Sequence, residues 1–397
     1  WQPRFVLSTA PTHTIPKGQK YTFGYLEVPE NRDDPQSQII RLPVYIFKSR
    51  SRNPQPDPII YTVGGPGSST MPSAPYMRYY QYLDQRDFIL FEQRGNRYAE
   101  PHLDCPEWAA AQHQALMTQA DGQERDSLLV AAARMCQQRL REQGIDLDAY
   151  KTTASAADIA DLVDVLALDS FNLLTLSYST KIAQVMLRDH PTKLRSVVMD
   201  SPLPLAVNYD EESITNLMEA VKMLLADCAA DEACNAAFPD LEQRFFTFLR
   251  EKSVDPLAVT IQDPESGQER TFFLDGADLI TVFTAAATAE VGSIPYLINQ
   301  LISGEEEMIK ATNLALPEKE KSLTLGEFWV WLGLWVVIST YPGFPYRNCF
   351  SLKQRDVFWN PPYLGEIMSL KRFELIQQSL RTRVGEPPQY VDKFWWV

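Results

Sequence analysis

Between Pro58 and Met199 short apolar runs alternate with stretches of helical spacing, and this alternation constrains the chain more than any other feature. Pro58-Ile59-Ile60-Tyr61-Thr62-Val63 reads as a buried strand that runs into Gly64-Gly65-Pro66-Gly67, and Asp87-Phe88-Ile89-Leu90-Phe91 as another that ends at Glu92-Gln93-Arg94-Gly95. Residues 154–166 carry apolar positions at helical spacing, with Ser155 as the expected N-cap; Asn172 to Leu176 is the next strand, Thr180 to Arg188 a helix and Leu194 to Met199 a further strand. Strands separated by helices predict a parallel sheet. Upstream, residues 21–47 alternate apolar and polar around Glu30-Asn31-Arg32-Asp33-Asp34-Pro35, which predicts an antiparallel hairpin.

Within this frame one serine stands out. Leu173-Leu174-Thr175-Leu176 turns abruptly into a helical segment at Ser177-Tyr178-Ser179-Thr180. Acyl transfer needs a nucleophile held clear of the backbone, a base, an orienting carboxylate and N–H donors aimed at the developing oxyanion. Ser177 is placed to be the nucleophile, and Gly64-Gly65-Pro66-Gly67 and the Tyr178 N–H are placed to supply donors. A sharp strand-to-helix turn favours glycine two residues to either side of the serine, where this chain has Thr175 and Ser179, so the turn signal is weakened.

Composition narrows the function classes. At 397 residues, 45% hydrophobic and 22% charged, the chain reads as globular. Its formal charge of −14 opposes broad attraction to phosphate backbones, so nucleic acid is not an expected partner of the whole chain. Five cysteines fall as Cys105 and Cys136, Cys228 and Cys234, and Cys349, a pattern that suggests disulfides in an oxidising compartment without fixing their connectivity. Nothing in the spacing points to a metal or another cofactor. Trp1-Gln2-Pro3-Arg4 reads as the start of mature sequence, which is compatible with a signal removed ahead of it. The apolar stretch Phe328 to Ile338 is about half the length of a membrane-spanning helix.

Six motifs, in order, carry a resemblance: Gly64-Gly65-Pro66-Gly67-Ser68, Phe91-Glu92-Gln93-Arg94-Gly95, Glu100-Pro101-His102-Leu103-Asp104-Cys105-Pro106, Ser155 to Leu166, Leu176-Ser177-Tyr178-Ser179 and Val198-Met199-Asp200-Ser201-Pro202. Over residues 20–255 the chain resembles the prolyl and tripeptidyl aminopeptidase-like serine peptidases of the α/β-hydrolase fold. The resemblance implies a mostly parallel sheet with a helical cap. It also implies a secreted or periplasmic exopeptidase that releases short N-terminal units from peptides, with Ser177 as nucleophile and Gly65 and Tyr178 as oxyanion donors. It further implies disulfides Cys105–Cys136 and Cys228–Cys234. The family's late aspartate and histidine have no counterpart here: the four histidines are His13, His102, His113 and His190, each read as structural or solvated, and Asp200 is read as a turn or cap residue. A catalytically inactive fold that binds peptides is therefore the alternative.

The expected organisation is a core over residues 1–205, a helical cap over 206–321 and a different helical segment over 322–397. In the cap, Glu211, Glu212 and Glu219 are candidate holders of a substrate α-amino group, set against an ordinary solvated helix surface. In the last segment, residues 325–334, 368–374 and 387–395 resemble the N-terminal part of a piggyBac-type transposase-derived domain, which implies catalytic aspartates beyond Val397. Lys371, Arg372, Arg381 and Arg383 give only a modest basic face, so its aromatic residues are read as core-forming rather than DNA-contacting.

Overall fold

The computed structural model describes residues 2–119, 121–262, 269–280 and 294–303. The chain divides into two compact units, one of residues 1–109 and 129–209, the other of residues 110–128 with the described residues from 210 onward.

The first unit is built on a seven-stranded sheet. Its strands are β1 (Arg4–Leu7), β2 (Tyr21–Pro29), β3 (Ile39–Phe47), β4 (Ile59–Thr62), β5 (Phe88–Phe91), β6 (Phe171–Leu176) and β7 (Leu194–Asp200), arranged β1-β2-β3-β5-β4-β6-β7. The expected hairpin is β2 paired with β3, and the pairings β1–β2, β2–β3 and β3–β5 are antiparallel. From β5 through β4, β6 and β7 the sheet is parallel. Thr62 lies beside Thr175 and Leu176 beside Asp200, so the loops after three parallel strands leave from one edge. That edge is where an open α/β sheet binds its ligands.

Period-two alternation sorts the core onto two faces. Ile60, Ile89 and Phe91, with Leu42 and Val44 of β3, pack with Ile159, Leu162 and Val163 of α3 (Thr152–Val165) and with Ile182, Val185 and Met186 of α4 (Ser179–Asp189). Phe88, Leu90, Tyr45 and Phe47 point the other way, against Met71, Met77 and Leu83 of two 3₁₀ segments, Met71–Tyr79 and Gln81–Asp84. All four residues of β5 are buried, as a central parallel strand requires.

α3 is capped at Lys151 rather than at the expected Ser155, because Thr152 to Ala154 already follow helical geometry and Ser155 is buried in the first turns. Its end is a Schellman motif: Ala167 N–H donates to Asp164 O and Leu168 N–H to Val163 O, each at 3.0 Å. Ala167 adopts φ 49°, a conformation that suits glycine. Two further helices, α1 (Pro106–Met117) and α2 (Gly122–Glu142), precede α3 and are not among those expected from the sequence. Disulfide Cys105–Cys136 ties the start of α1 to α2.

The second unit is helical in large part, with α5 (Tyr209–Ala230), α6 (Glu232–Ala237), α7 (Leu241–Val254) and α8 (Ile294–Ser303), and disulfide Cys228–Cys234 joins α5 to α6. It also holds an antiparallel hairpin, β8 (Leu257–Gln262) with β9 (Glu269–Leu274), within the stretch expected to be a helical cap. Leu257 and Val259 bury against Phe245 and Leu249 of α7. Within the expected cap, the chain after β9 is described at residues 275–280 and 294–303, and the segment expected over 322–397 lies outside the described residues. No helix among the described residues is long and apolar enough to cross a membrane.

The helix end gives a direct test. Ala167→Gly relieves a side chain from left-handed backbone and should raise unfolding stability by about 1 kcal/mol in chemical denaturation. A loss of stability would contradict the assigned cap.

Candidate active site

Ser177 is the hinge between β6 and α4, and its backbone is left-handed, with φ 58°. For a non-glycine residue that conformation costs roughly 1–3 kcal/mol and persists only where the surroundings impose it. Here they do. Ser177 N–H donates to Asp200 O at 2.9 Å, and Ser177 O accepts from Thr180 N–H at 2.9 Å and from Thr180 Oγ1 at 2.6 Å. The result is an exposed side chain at the tip of the sheet.

Thr175 and Ser179, which weakened the turn signal in the sequence, prove to be structural parts of the turn. Both are fully buried. Thr175 Oγ1 donates to Val198 O at 3.1 Å. Ser179 Oγ accepts from Leu176 N–H at 2.9 Å and lies 2.8 Å from Thr62 O and 2.9 Å from Leu176 O, either of which can take its proton. Small hydroxylated side chains thus fit where glycine was expected, and they bond the turn to its neighbours.

The loop after β4 closes on this turn. A Cβ placed on Gly64 would lie 2.7 Å from Ser177 Cβ and 2.8 Å from both Leu176 O and Tyr178 N, so only glycine permits the approach. Gly65 and Gly67 follow with φ 107° and 101°, and Ser68 N–H returns to Gly64 O at 3.3 Å. The structure therefore brings the 64–68 turn, Ser177 and the Tyr178 N–H together. The Tyr178 hydroxyl points elsewhere, 2.8 Å from Thr152 Oγ1.

Beneath the loop lie three polar residues to which the sequence reading gave no role. Glu92 Oε2 accepts from Ser69 Oγ at 2.8 Å and Thr70 N–H at 3.2 Å; Gln93 Nε2 donates to Thr62 Oγ1 at 2.8 Å and Val63 O at 2.5 Å; Asn96 Nδ2 donates to Ser68 O at 2.7 Å. Their signal was the polar run 92–96 directly after a fully apolar strand. Arg94, in the same run, forms a buried pair with Asp158 at 2.7 Å and also donates to Glu30 O and Ala149 O.

None of the four histidines is bonded to the serine. Among the described residues, no histidine or carboxylate hydrogen-bonds to Ser177 Oγ. His13 Nδ1 lies 3.0 Å from Thr12 Oγ1 and its Nε2 3.4 Å from Tyr98 OH, and burial, with Arg97 adding to it, lowers its pKa. His102 lies 3.7 Å from Asp104, His113 meets the Phe272 ring edge-on, and His190 closes α4. Asp200 Oδ1 accepts from Ser201 Oγ at 3.1 Å. Glu211, Glu212 and Glu219 are exposed on α5. Lys371, Arg372, Arg381 and Arg383 lie outside the described residues. Cys105, Glu107 and Cys136 gather within 4.8 Å, but the two sulfurs are bonded to each other and Glu107 pairs with Arg139, so the trio offers no metal centre.

The strand order, the left-handed serine between strand and helix, and the glycine loop against it define an α/β-hydrolase fold. Residues 57–227 match a family model described as alpha/beta hydrolase fold, and residues 305–395 match one described as transposase IS4. No curated protein matches the chain at a significant level. Similar solved structures include an alpha/beta hydrolase fold protein from Chitinophaga pinensis, 12% identical, with 68% of this chain and 69% of that one covered and a TM-score of 0.24. Juvenile hormone epoxide hydrolase from the silkworm Bombyx mori is 11% identical, with coverages of 94% and 63% and a TM-score of 0.31. The chain spans 60% of the length of the Pseudomonas aeruginosa structures it matches. Similarities at this level carry no argument about activity.

Glu92 yields a pH prediction. Burial, opposed by its hydrogen bonds from Ser69, Tyr98 and Thr70, pushes its carboxyl up from 4.5 to about 7. The folded state thus favours the protonated form, so its contribution to stability is full below about pH 4.5 and is lost as pH rises through 7. At about 1.4 kcal/mol per unit, this removes roughly 3 kcal/mol across that window. Glu92→Gln should remove this component from a stability–pH profile, and an unchanged profile would contradict the burial effect.

Proposed function

We propose that the protein is a serine hydrolase that works through an acyl-enzyme at Ser177. The observation that carries this reading is the exposed left-handed Ser177, with the Gly64 backbone pressed against it. In the proposed step Ser177 Oγ attacks a carbonyl carbon and gives its proton to a base. The oxygen gains negative charge, which Gly65 N–H and Tyr178 N–H stabilise, and the leaving group departs with a proton. The motif order supports peptides as substrates and release of short N-terminal units, as in the prolyl and tripeptidyl aminopeptidase-like enzymes. The two disulfides support an oxidising location, secreted or periplasmic.

A second reading, a peptide-binding module without turnover, is favoured by one observation: among the described residues no base is bonded to Ser177. The two separate in one experiment. A fluorophosphonate should label the wild-type protein at Ser177 and leave Ser177→Ala unlabelled. Equal labelling of both proteins, or of neither, would rule out the hydrolase reading, and peptide binding by an unlabelled protein would favour the module.

A further inference from the structure

The run Glu92-Gln93-Arg94-Gly95-Asn96 follows β5, and three of its side chains bond to one short stretch of chain, at backbone and side-chain atoms alike. Glu92, Gln93 and Asn96 are 0%, 3% and 6% exposed, too buried to meet a substrate. Each bonds to residues 62–70, the end of β4 and the glycine turn beyond it. Buried polar groups are costly unless satisfied, so three of them converging on one loop fix its backbone.

The bonds fall where they control peptide orientation. A trans peptide is planar, with its C=O and N–H pointing in opposite directions, so holding the carbonyl aims the amide. Gln93 Nε2 holds Val63 O, which aims Gly64 N–H. Ser68 N–H holds Gly64 O, which aims Gly65 N–H, and Asn96 Nδ2 holds the carbonyl of that same Ser68, which keeps the residue that makes the bond in place. Glu92 takes the next two donors, Ser69 Oγ and Thr70 N–H. With glycines at 64, 65 and 67 the stretch has little stiffness of its own, whereas oxyanion donors act by being held in place before the charge develops.

We infer that Gln93 and Asn96, assisted by Glu92, are positioning residues that hold the 63–70 backbone so that Gly65 N–H is fixed as an oxyanion donor beside Ser177. This rests on the reading of Ser177 as nucleophile. These residues do not touch the reacting atoms. Their effect should fall on the rate of attack, not on the binding of what is attacked.

Gln93→Met keeps length and removes both donors, Asn96→Ala removes one donor at the rim of the loop, and Glu92→Gln retains an oxygen acceptor for Ser69 and Thr70. The full chain is used, with two readouts: amide hydrogen exchange at residues 64–70 and the kinetics of fluorophosphonate reaction at Ser177. The first two variants should speed loop exchange about tenfold or more and slow the maximal phosphonylation rate by about tenfold to hundredfold. The half-saturating reagent concentration should stay within about twofold, and Glu92→Gln, which keeps an acceptor, should change both readouts less than the first two variants. Asn96→Ala keeps the test open if Gln93→Met does not fold. Normal labelling with unchanged exchange, or faster exchange with an unchanged maximal rate, would overturn the positioning role alone. A wild-type protein unlabelled at Ser177 would overturn the nucleophile reading and the donor role together.

Discussion

The hydroxyl of Ser179 joins the ends of two neighbouring parallel strands, and the arrangement around Ser177 depends on that joint. It takes the Leu176 N–H at the end of β6 and reaches Thr62 O at the end of β4. With β4 and β6 pinned at that level, the loop leaving β4 meets the turn leaving β6, and Gly64 lies against Ser177. A larger residue at 179 would separate the strand ends, and any side chain at 64 would collide with Leu176 O and Tyr178 N.

Such a turn costs energy locally, and distant packing supports it. The left-handed Ser177 is tied at its N–H to β7 and at its carbonyl to Thr180. Behind it, α3 and α4 bury Ile159, Leu162, Ile182 and Met186 against the sheet. Arg94 anchors the 92–96 run to α3 through Asp158, whose carboxylate also meets Arg32 at 2.5 Å. A buried pair of this kind is sustained only when the remaining donors are used, and Arg94 spends its own on Glu30 O and Ala149 O. The loop that faces the serine therefore rests on the core through a continuous set of satisfied bonds.

Much of this was legible in the sequence because it is local and periodic. The hairpin over residues 21–47, the strands ending at Thr62, Phe91 and Leu176, and the helix after Ser177 follow from alternation and turn residues. α1 and α2 escaped because their inward residues are few: α2 buries only Ala132, Cys136 and Leu140. The β8–β9 hairpin escaped because its flanks are helical. Ser155 misled as a cap because a hydroxyl before an apolar run says nothing about burial. At the site, Ser177 and the glycine turn carry local signals, but the bonds of Gln93 to Thr62 and of Asn96 to Ser68 span 31 and 28 residues and leave none.

The measurement that bears most directly on the account is a crystal structure of the protein after reaction with a fluorophosphonate. The account predicts phosphorus on Ser177 Oγ and a phosphoryl oxygen about 3 Å from both Gly65 N and Tyr178 N. An adduct on another residue, or a phosphoryl oxygen directed away from both amides, would contradict it.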